Sequence, residues 1–250
     1  MRSQRIFIGV STLLFATSSA VTITWCESMS AMDGMGMPWA RMPGQTWPGA
    51  AASFVGMWIV MMVAMMLPSL LPMLSRYRRA VGKTSDARLG WLTALAGIGY
   101  FLVWAVIGMA AFPLGAALAA IEMESPALAR AVPIAGGVVV LLAGALQFTA
   151  WKAHQLACCR GASGRGRTLP ADAGTAWRHG LRLGVHCSYC CAGLTAMLLV
   201  IGVMDLWAMA VVAAAITLER FAPGGERVAR AIGIVVVVAG LLMIVQAAGT

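Results

Sequence analysis

Long apolar runs separated by short basic segments constrain this chain more than any other feature of its sequence. A run of about 20 apolar residues can cross a bilayer as an α-helix, because a helix satisfies its own backbone hydrogen bonds in lipid. The composition agrees: 60% of the residues are hydrophobic and 11% are charged, whereas soluble domains carry about 25% charged residues. The sequence therefore predicts an all-α, polytopic membrane helical bundle with about seven transmembrane helices, at 6–25, 50–71, 90–118, 131–151, 183–204, 206–221 and 232–248.

The basic residues between these runs predict which side of the membrane each loop faces. The segments 75–88 and 160–182 are rich in arginine, and loops rich in Lys and Arg tend to face the cytoplasm. This pattern predicts that the amino terminus is inside and the carboxyl terminus outside. Basic cytoplasmic loops also account for the net charge of +9, and we expect no nucleic-acid partner; the expected surroundings are the lipid bilayer.

Three regions are predicted along the chain. Residues 1–25 form a first transmembrane helix or a cleaved signal peptide, because a short basic start precedes the apolar run. Residues 26–49 form an extracytoplasmic Met-rich loop, since its glycines and prolines disfavour helix and strand. Residues 50–250 form a six-helix membrane core with a cytoplasmic Cys/His cluster.

Five of the six cysteines lie between residues 158 and 191, beside the segments predicted to face the cytoplasm. Thiols in a reducing compartment stay reduced, and clusters of them bind metal or perform redox chemistry. Three of these cysteines can share one face of a helix, because positions three and four residues apart are neighbours. They are Cys187, Cys190 and Cys191.

Further thiols and imidazoles are expected to join this group. Consecutive spans joined by one loop are usually neighbours in space, so the residues after the fourth predicted span can meet those that open the fifth. Thiolates and imidazoles suit Cu(I) or Zn(II), although buried cysteines also serve as small apolar residues. The predicted metal ligands are His154, Cys158, Cys159, His186, Cys187, Cys190 and Cys191, which are more than one ion needs.

Methionine is concentrated in the loop 26–49 and in the second predicted span. In the span, methionines recur every four residues and stack on one face over about 12 Å. Thioether sulfur is a soft donor that can bind Cu(I), whereas Met is also a flexible filler of apolar helices. The predicted Met ligands in the span are Met57, Met61, Met62, Met65 and Met66; the loop adds Met29, Met32, Met35, Met37 and Met42.

Several segments between about Met57 and Arg220 together resemble a known family. They are "MWIVMMVAMMLPS" from Met57, "WKAHQLACCR" from Trp151, "GVHCSYCCAGLTAM" from Gly184, "GVMDLWAMA" from Gly202 and "LER" from Leu218. In order and spacing the chain resembles the predicted metal-binding integral membrane proteins, a family of undefined function often labelled copper chaperone-like. Tyr189 and Ala192 depart from the pattern that the family commonly shows. The resemblance implies copper handling in the bacterial inner (cytoplasmic) membrane.

The sequence is compatible with three functions. The leading hypothesis is a non-catalytic protein that passes Cu(I) between the Met loop, the Met stripe and the thiols, with a cuproenzyme or metallochaperone as its client. Zinc is the alternative metal. The second hypothesis is a membrane thiol-disulfide oxidoreductase that uses the spacing Cys187-x-x-Cys190. The third is an assembly subunit of a membrane complex in which the cysteines have no chemical role.

Overall fold

The fold is all-α. A computed structural model describes residues 2–30, 44–82, 84–161 and 168–249. Apart from one isolated bridge between Val81 and Leu169, every regular element in these ranges is a helix. The helices are α1 (Arg2–Ser30), α2 (Trp47–Ala80), α3 (Asp86–Glu124), α4 (Pro126–Leu146), α5 (Ala150–Gly161), α6 (Ala173–Ile201), α7 (Leu206–Phe221) and α8 (Gly225–Ala248).

Five of the helices, α1, α2, α3, α6 and α8, are long and apolar enough to cross a membrane. The bent pair α4–α5 brings the number to six if it is counted as one span. The predicted span 206–221 coincides with α7, but its 16 residues extend only about 24 Å, less than the ~30 Å of a hydrocarbon core. The predicted count of seven is therefore not confirmed, and the inside–outside orientation stays a prediction.

Small residues let the helix backbones approach closely. A Cβ atom added to Gly180 of α6 would overlap the carbonyl oxygen of Ala96 on α3. On the other side of the bundle, an added Cβ at Gly144 of α4 would lie 2.7 Å from the backbone nitrogen of Val237 on α8. Small residues at helix crossings are typical of membrane bundles, and here they bring α3 against α6 and α4 against α8.

The fourth predicted span, 131–151, is interrupted near its end and is not one straight helix. Helix α4 ends at Leu146, α5 begins at Ala150, and the two axes differ by 68°. Between them the backbone N–H groups of Gln147 and Phe148 bond three residues back instead of four, which tightens and ends the helix. The hydroxyl of Thr149 accepts from the N–H of Lys152 at 3.2 Å and opens α5.

The predicted fifth span also begins earlier than expected. Its start was predicted near Leu183, with the thiols just after that start, but α6 begins ten residues earlier, at Ala173. The carboxylate of Asp172 caps this helix by accepting from the N–H of Thr175 at 2.8 Å, and the same bond lowers the pKa of Asp172. Cys187 therefore lies at the middle of α6, inside the bundle.

The amino-terminal helix is longer than the predicted span, because α1 extends to Ser30. The side chain of Met29 and the loop methionines Met32, Met35, Met37 and Met42 lie outside the described residues. The division into 1–25, 26–49 and 50–250 stays a prediction.

Candidate metal centre

Four of the seven predicted Cys/His ligands contribute thiols to one buried group. Cys187, Cys190 and Cys191 of α6 and Cys159 of α5 are each no more than 2% exposed. The sulfurs of Cys187 and Cys191 are neighbours, Cys190 is buried on the same helix, and the thiol of Cys159 donates to the backbone oxygen of His186 on α6. Cys159, which precedes the connector, therefore lies against the helix that follows it.

The Sγ atoms of Cys187 and Cys191 lie 3.9 Å apart. They occupy positions i and i+4 of α6, which places them one turn apart on the buried face. Two sulfurs that each lie about 2.3 Å from one metal ion are about 3.8 to 4.6 Å apart for tetrahedral to linear geometry. The pair can therefore hold one ion without moving the helix.

Arg220, from the end of α7, supplies a cation to this thiol pair. One guanidinium nitrogen lies 2.9 Å from the sulfur of Cys187 and 3.1 Å from that of Cys191. The other terminal nitrogen donates to the hydroxyl of Ser69 on α2 at 3.0 Å. The side chain is 8% exposed, so three helices meet around one buried positive charge. Below, the two sulfurs and this guanidinium are called the thiol–arginine site.

Two more side chains orient the site. The hydroxyl of Tyr100 on α3 lies 2.8 Å from the sulfur of Cys187, and Tyr100 is fully buried. The thiol of Cys159 donates to the backbone oxygen of His186 at 3.2 Å. His186 thus contributes its carbonyl group to the site, while its imidazole Nδ1 is buried without a hydrogen-bond partner among the described residues.

A buried ion pair lies beside the thiols. Lys152 of α5 donates to a carboxylate oxygen of Glu219 and to the carbonyl oxygen of Cys190, each at 2.7 Å. The two charged side chains are 5% and 2% exposed. A buried ion pair is stable only when short, well-directed hydrogen bonds offset the cost of removing both charges from water. Lys152 and Glu219 neutralise each other, which leaves Arg220 as the remaining cation of this group of three.

His154 and Cys158 form a separate group. The imidazole Nε2 of His154 lies 3.5 Å from the sulfur of Cys158, and both residues lie on the more exposed side of α5, His154 exposed and Cys158 half-buried. Among the described residues, no three His, Cys, Asp or Glu side chains are grouped as a preformed metal site. Of the seven predicted ligands, four contribute thiols to the buried group and two form the surface pair, whereas Nδ1 of the His186 imidazole has no hydrogen-bond partner among the described residues.

The methionines of α2 lie in the core beside the site. Four of them are at most 4% exposed, and Met57 is half-buried. The hydroxyl of Ser69 donates to the backbone oxygen of Met66 at 2.9 Å and also accepts from Arg220, which places one end of the Met stripe within a helical turn of the site. The buried four are Met61, Met62, Met65 and Met66.

A second sulfur pair lies at the carboxyl-terminal end of α6. The sulfurs of Cys26, near the end of α1, and Met204, just after α6, are 3.9 Å apart. Cys26 is buried and Met204 is half-buried. This pair was not among the residues predicted to bind metal, because the two partners are 178 positions apart in the sequence.

The polar partners of the thiols were not predicted. Glu219 and Arg220 lie at the end of the sixth predicted span and Lys152 directly after the fourth, and none of the three was expected to contact the cysteines. Charged residues within apolar helices usually face the bundle interior and pair with one another. The adjacent charges Glu219 and Arg220 at the end of the apolar run 206–221 were the available signal.

Comparison with known proteins places this arrangement in a family. A family model described as "PpoB2: Copper chaperone" matches residues 55–243. The chain belongs to the PpoB2 copper chaperone family. The matched range contains the Met stripe, both cysteine groups and Arg220, whereas α1 and Cys26 lie before it. No curated protein and no solved structure matches the chain.

Proposed function

We propose that this member of the PpoB2 family binds Cu(I) as cargo between the sulfurs of Cys187 and Cys191 and passes it to a client protein. The observation that carries the proposal is the 3.9 Å pair of buried sulfurs held by Arg220 and Tyr100. Thiolate is a soft ligand that selects Cu(I), and membership of a copper chaperone family agrees with that metal. The role is metal handling without catalysis.

Copper fits this pair better than zinc does. Structural zinc sites take four protein ligands in tetrahedral arrangement, whereas the two sulfurs that share Arg220 supply two. Two further buried thiols, those of Cys190 on α6 and Cys159 on the neighbouring α5, lie beside the pair. Exchange of Cu(I) onto these thiols would let it move toward α5 without losing soft ligands.

The Met stripe extends the proposed route away from the thiols. Residues 57–69 of α2 span about 18 Å at 1.5 Å per residue, and the four buried methionines lie within this stretch. Thioethers bind Cu(I) more weakly than thiolates do, because they carry no charge. Transfer of Cu(I) from the Met stripe to the thiol–arginine site therefore lowers the free energy of the bound ion. The Cys26–Met204 pair adds soft donors at the carboxyl-terminal end of α6.

The proposed setting is a bacterial inner (cytoplasmic) membrane, with a cuproenzyme or metallochaperone as client. Five helices of suitable length and apolar character support a membrane location. The alternative based on Cys187-x-x-Cys190 is less favoured by the geometry, because the sulfur that lies 3.9 Å from that of Cys187 belongs to Cys191.

Copper binding by the detergent-purified, reduced protein tests the proposal. We expect the wild type to retain Cu(I) against a chromophoric competitor, and Cys187→Ser with Cys191→Ser to lose nearly all of this copper. The matched control is the double variant His154→Ala with Cys158→Ser. It removes both side chains of the surface pair and leaves the thiols of Cys187 and Cys191 intact. Equal copper retention by the Cys187/Cys191 double variant and the wild type would overturn the proposed site.

A further inference from the structure

We propose that Arg220 is a specificity-determining residue that restricts the Cys187–Cys191 pair to soft monovalent cations by balancing the charge of the bound metal bis-thiolate. The inference rests on the proposed function and adds to it a reason for metal selection. It starts from the contacts of one guanidinium nitrogen with both sulfurs, at 2.9 and 3.1 Å.

The charges of the loaded site can be counted from the residues present. Thiolate is the form of cysteine that binds metal, so two bound thiolates and one Cu(I) carry one net negative charge. The guanidinium of Arg220 is protonated throughout and supplies one positive charge in direct contact with both sulfurs. Cu(I), the two sulfurs and Arg220 together are neutral.

The same count for a divalent ion leaves an excess positive charge. Two thiolates and one Zn(II) or Cd(II) are already neutral, so Arg220 adds an uncompensated charge. The neighbouring charges do not remove it, because Lys152 and Glu219 neutralise each other at 2.7 Å. An unbalanced charge in a site where Cys187, Cys191 and Tyr100 are almost fully buried is strongly disfavoured.

The position of Arg220 makes this charge difficult to move away. Its second terminal nitrogen is bonded to Ser69 of α2 at 3.0 Å, and its side chain is 8% exposed. The guanidinium is therefore fixed between α2 and α6 and does not extend into solvent. The guanidinium therefore repels a divalent ion bound at the two sulfurs much more strongly than a monovalent one, because the apolar surroundings screen charges weakly.

Competition between soft metals of different charge tests the inference. Ag(I) replaces Cu(I) as a soft monovalent probe that does not need a reductant, and Cd(II) is the soft divalent probe, so softness is similar and charge differs. For Arg220→Gln, which removes the charge and keeps hydrogen-bonding capacity, we expect the ratio of Ag(I) to Cd(II) affinity to fall at least about tenfold. Arg220→Lys loses the planar donor geometry of arginine but keeps the positive charge. Because the inference depends on the charge, we expect the ratio of Ag(I) to Cd(II) affinity to stay within about threefold of the wild type even where both affinities fall.

Arg78→Gln is the matched control. Arg78 is also 8% exposed, but it bonds to Thr93 and Ser3 away from the thiols, so its replacement is expected to leave the ratio unchanged. An unchanged ratio in Arg220→Gln, or an equal fall in Arg78→Gln, would overturn the inference.

Two further measurements keep the test decisive. If Arg220→Gln is not recovered as folded protein, a tenfold fall in Arg220→Lys overturns the inference, because that variant retains the charge. In the wild type, Cd(II) that displaces Ag(I) at equal concentration overturns it as well. A normal copper load in the Arg220 variants with no change in selectivity contradicts this inference alone, whereas copper retained without Cys187 and Cys191 contradicts the proposed function.

Discussion

Two cysteines that are adjacent on α5 have entirely different surroundings. Cys159 is 2% exposed and donates to the carbonyl oxygen of His186 on α6. Cys158 is half-buried, and its sulfur lies 3.5 Å from the imidazole Nε2 of His154 on the same helix. The first belongs to a group built from several helices, and the second to a pair within one helical turn.

The difference shows that donor type alone does not make a metal centre. Both groups contain soft or borderline ligands, but the buried group adds a fixed cation, a tyrosine hydroxyl and an ion pair from other helices. These partners fix the sulfurs before metal arrives, and preorganised ligands lose less freedom on binding. The surface pair has no comparable support from other helices in the described structure.

Thiol accessibility should give the largest contrast between the two groups. With a maleimide reagent under native conditions, we expect Cys158 to react roughly 100-fold or more faster than Cys187, Cys190 and Cys191. A buried thiol reacts only after a local opening, and an opening that costs about 3 kcal/mol slows the reaction by about that factor. Mass spectrometry of peptides sampled over time measures the rates.

Cys158→Ser is the control for this experiment, because it should remove the fast phase and leave the slow one. If Cys187 or Cys191 were labelled as fast as Cys158, the buried and surface thiols would be equally accessible to the reagent, and the comparison between the two groups would have no basis.

Two ion pairs among the described residues extend the comparison to stability. Lys152→Met leaves Glu219 as a buried, unpaired charge, and we expect it to lower the free energy of unfolding by about 3–5 kcal/mol. Equilibrium unfolding in mixed detergent micelles measures the change. The control is Arg230→Met, which breaks a 3.9 Å pair with Glu226 whose side chains are both more than half exposed, and should cost less than about 1 kcal/mol.

A double variant, Lys152→Met with Glu219→Leu, should recover much of the lost stability, since it removes both charges. A loss for Lys152→Met no larger than that for Arg230→Met would mean that the interior around the thiols is hydrated.

The smallest expected effect concerns a single hydroxyl. Tyr100→Phe removes the 2.8 Å contact with Cys187, and a neutral hydrogen bond contributes about 0.5–1.5 kcal/mol. We expect the Kd for Cu(I) to rise about 3- to 10-fold, as measured by competition with a chromophoric ligand. His154→Ala serves as the comparison, and a similar weakening by that variant would show that the surface pair also binds the ion.

Much of the helical framework could be predicted from hydropathy, because an apolar run of membrane length has few alternatives to a helix. The bounds of α7 agree with the predicted run 206–221. The break between α4 and α5 could not be found in this way, since 131–151 is apolar apart from Gln147 and Thr149 and the bend depends on a cap at Thr149. The start of α6 was missed because polar residues at 173–182 were assigned to the connector.

The candidate site was predicted in part. The spacing of Cys187 and Cys191 on one helix face placed both sulfurs together, because the period of an α-helix is fixed. The spacing alone could not separate Cys158 from Cys159, since adjacent residues point in directions about 100° apart and the neighbours of α5 decide which one is buried. Arg220 and Tyr100 come from α7 and α3, far from the cysteines in sequence.

The sequence by itself determined that this chain forms apolar helices and that α6 carries sulfur donors on one face, because both depend on local periodicity. Only the tertiary structure decided that Arg220 contacts the sulfurs of Cys187 and Cys191, that Tyr100 contacts the sulfur of Cys187, and that Ser69 holds Arg220 in place. Their meeting depends on close helix crossings such as that of Gly180 with Ala96, and the side chains of one helix do not specify which neighbour it meets.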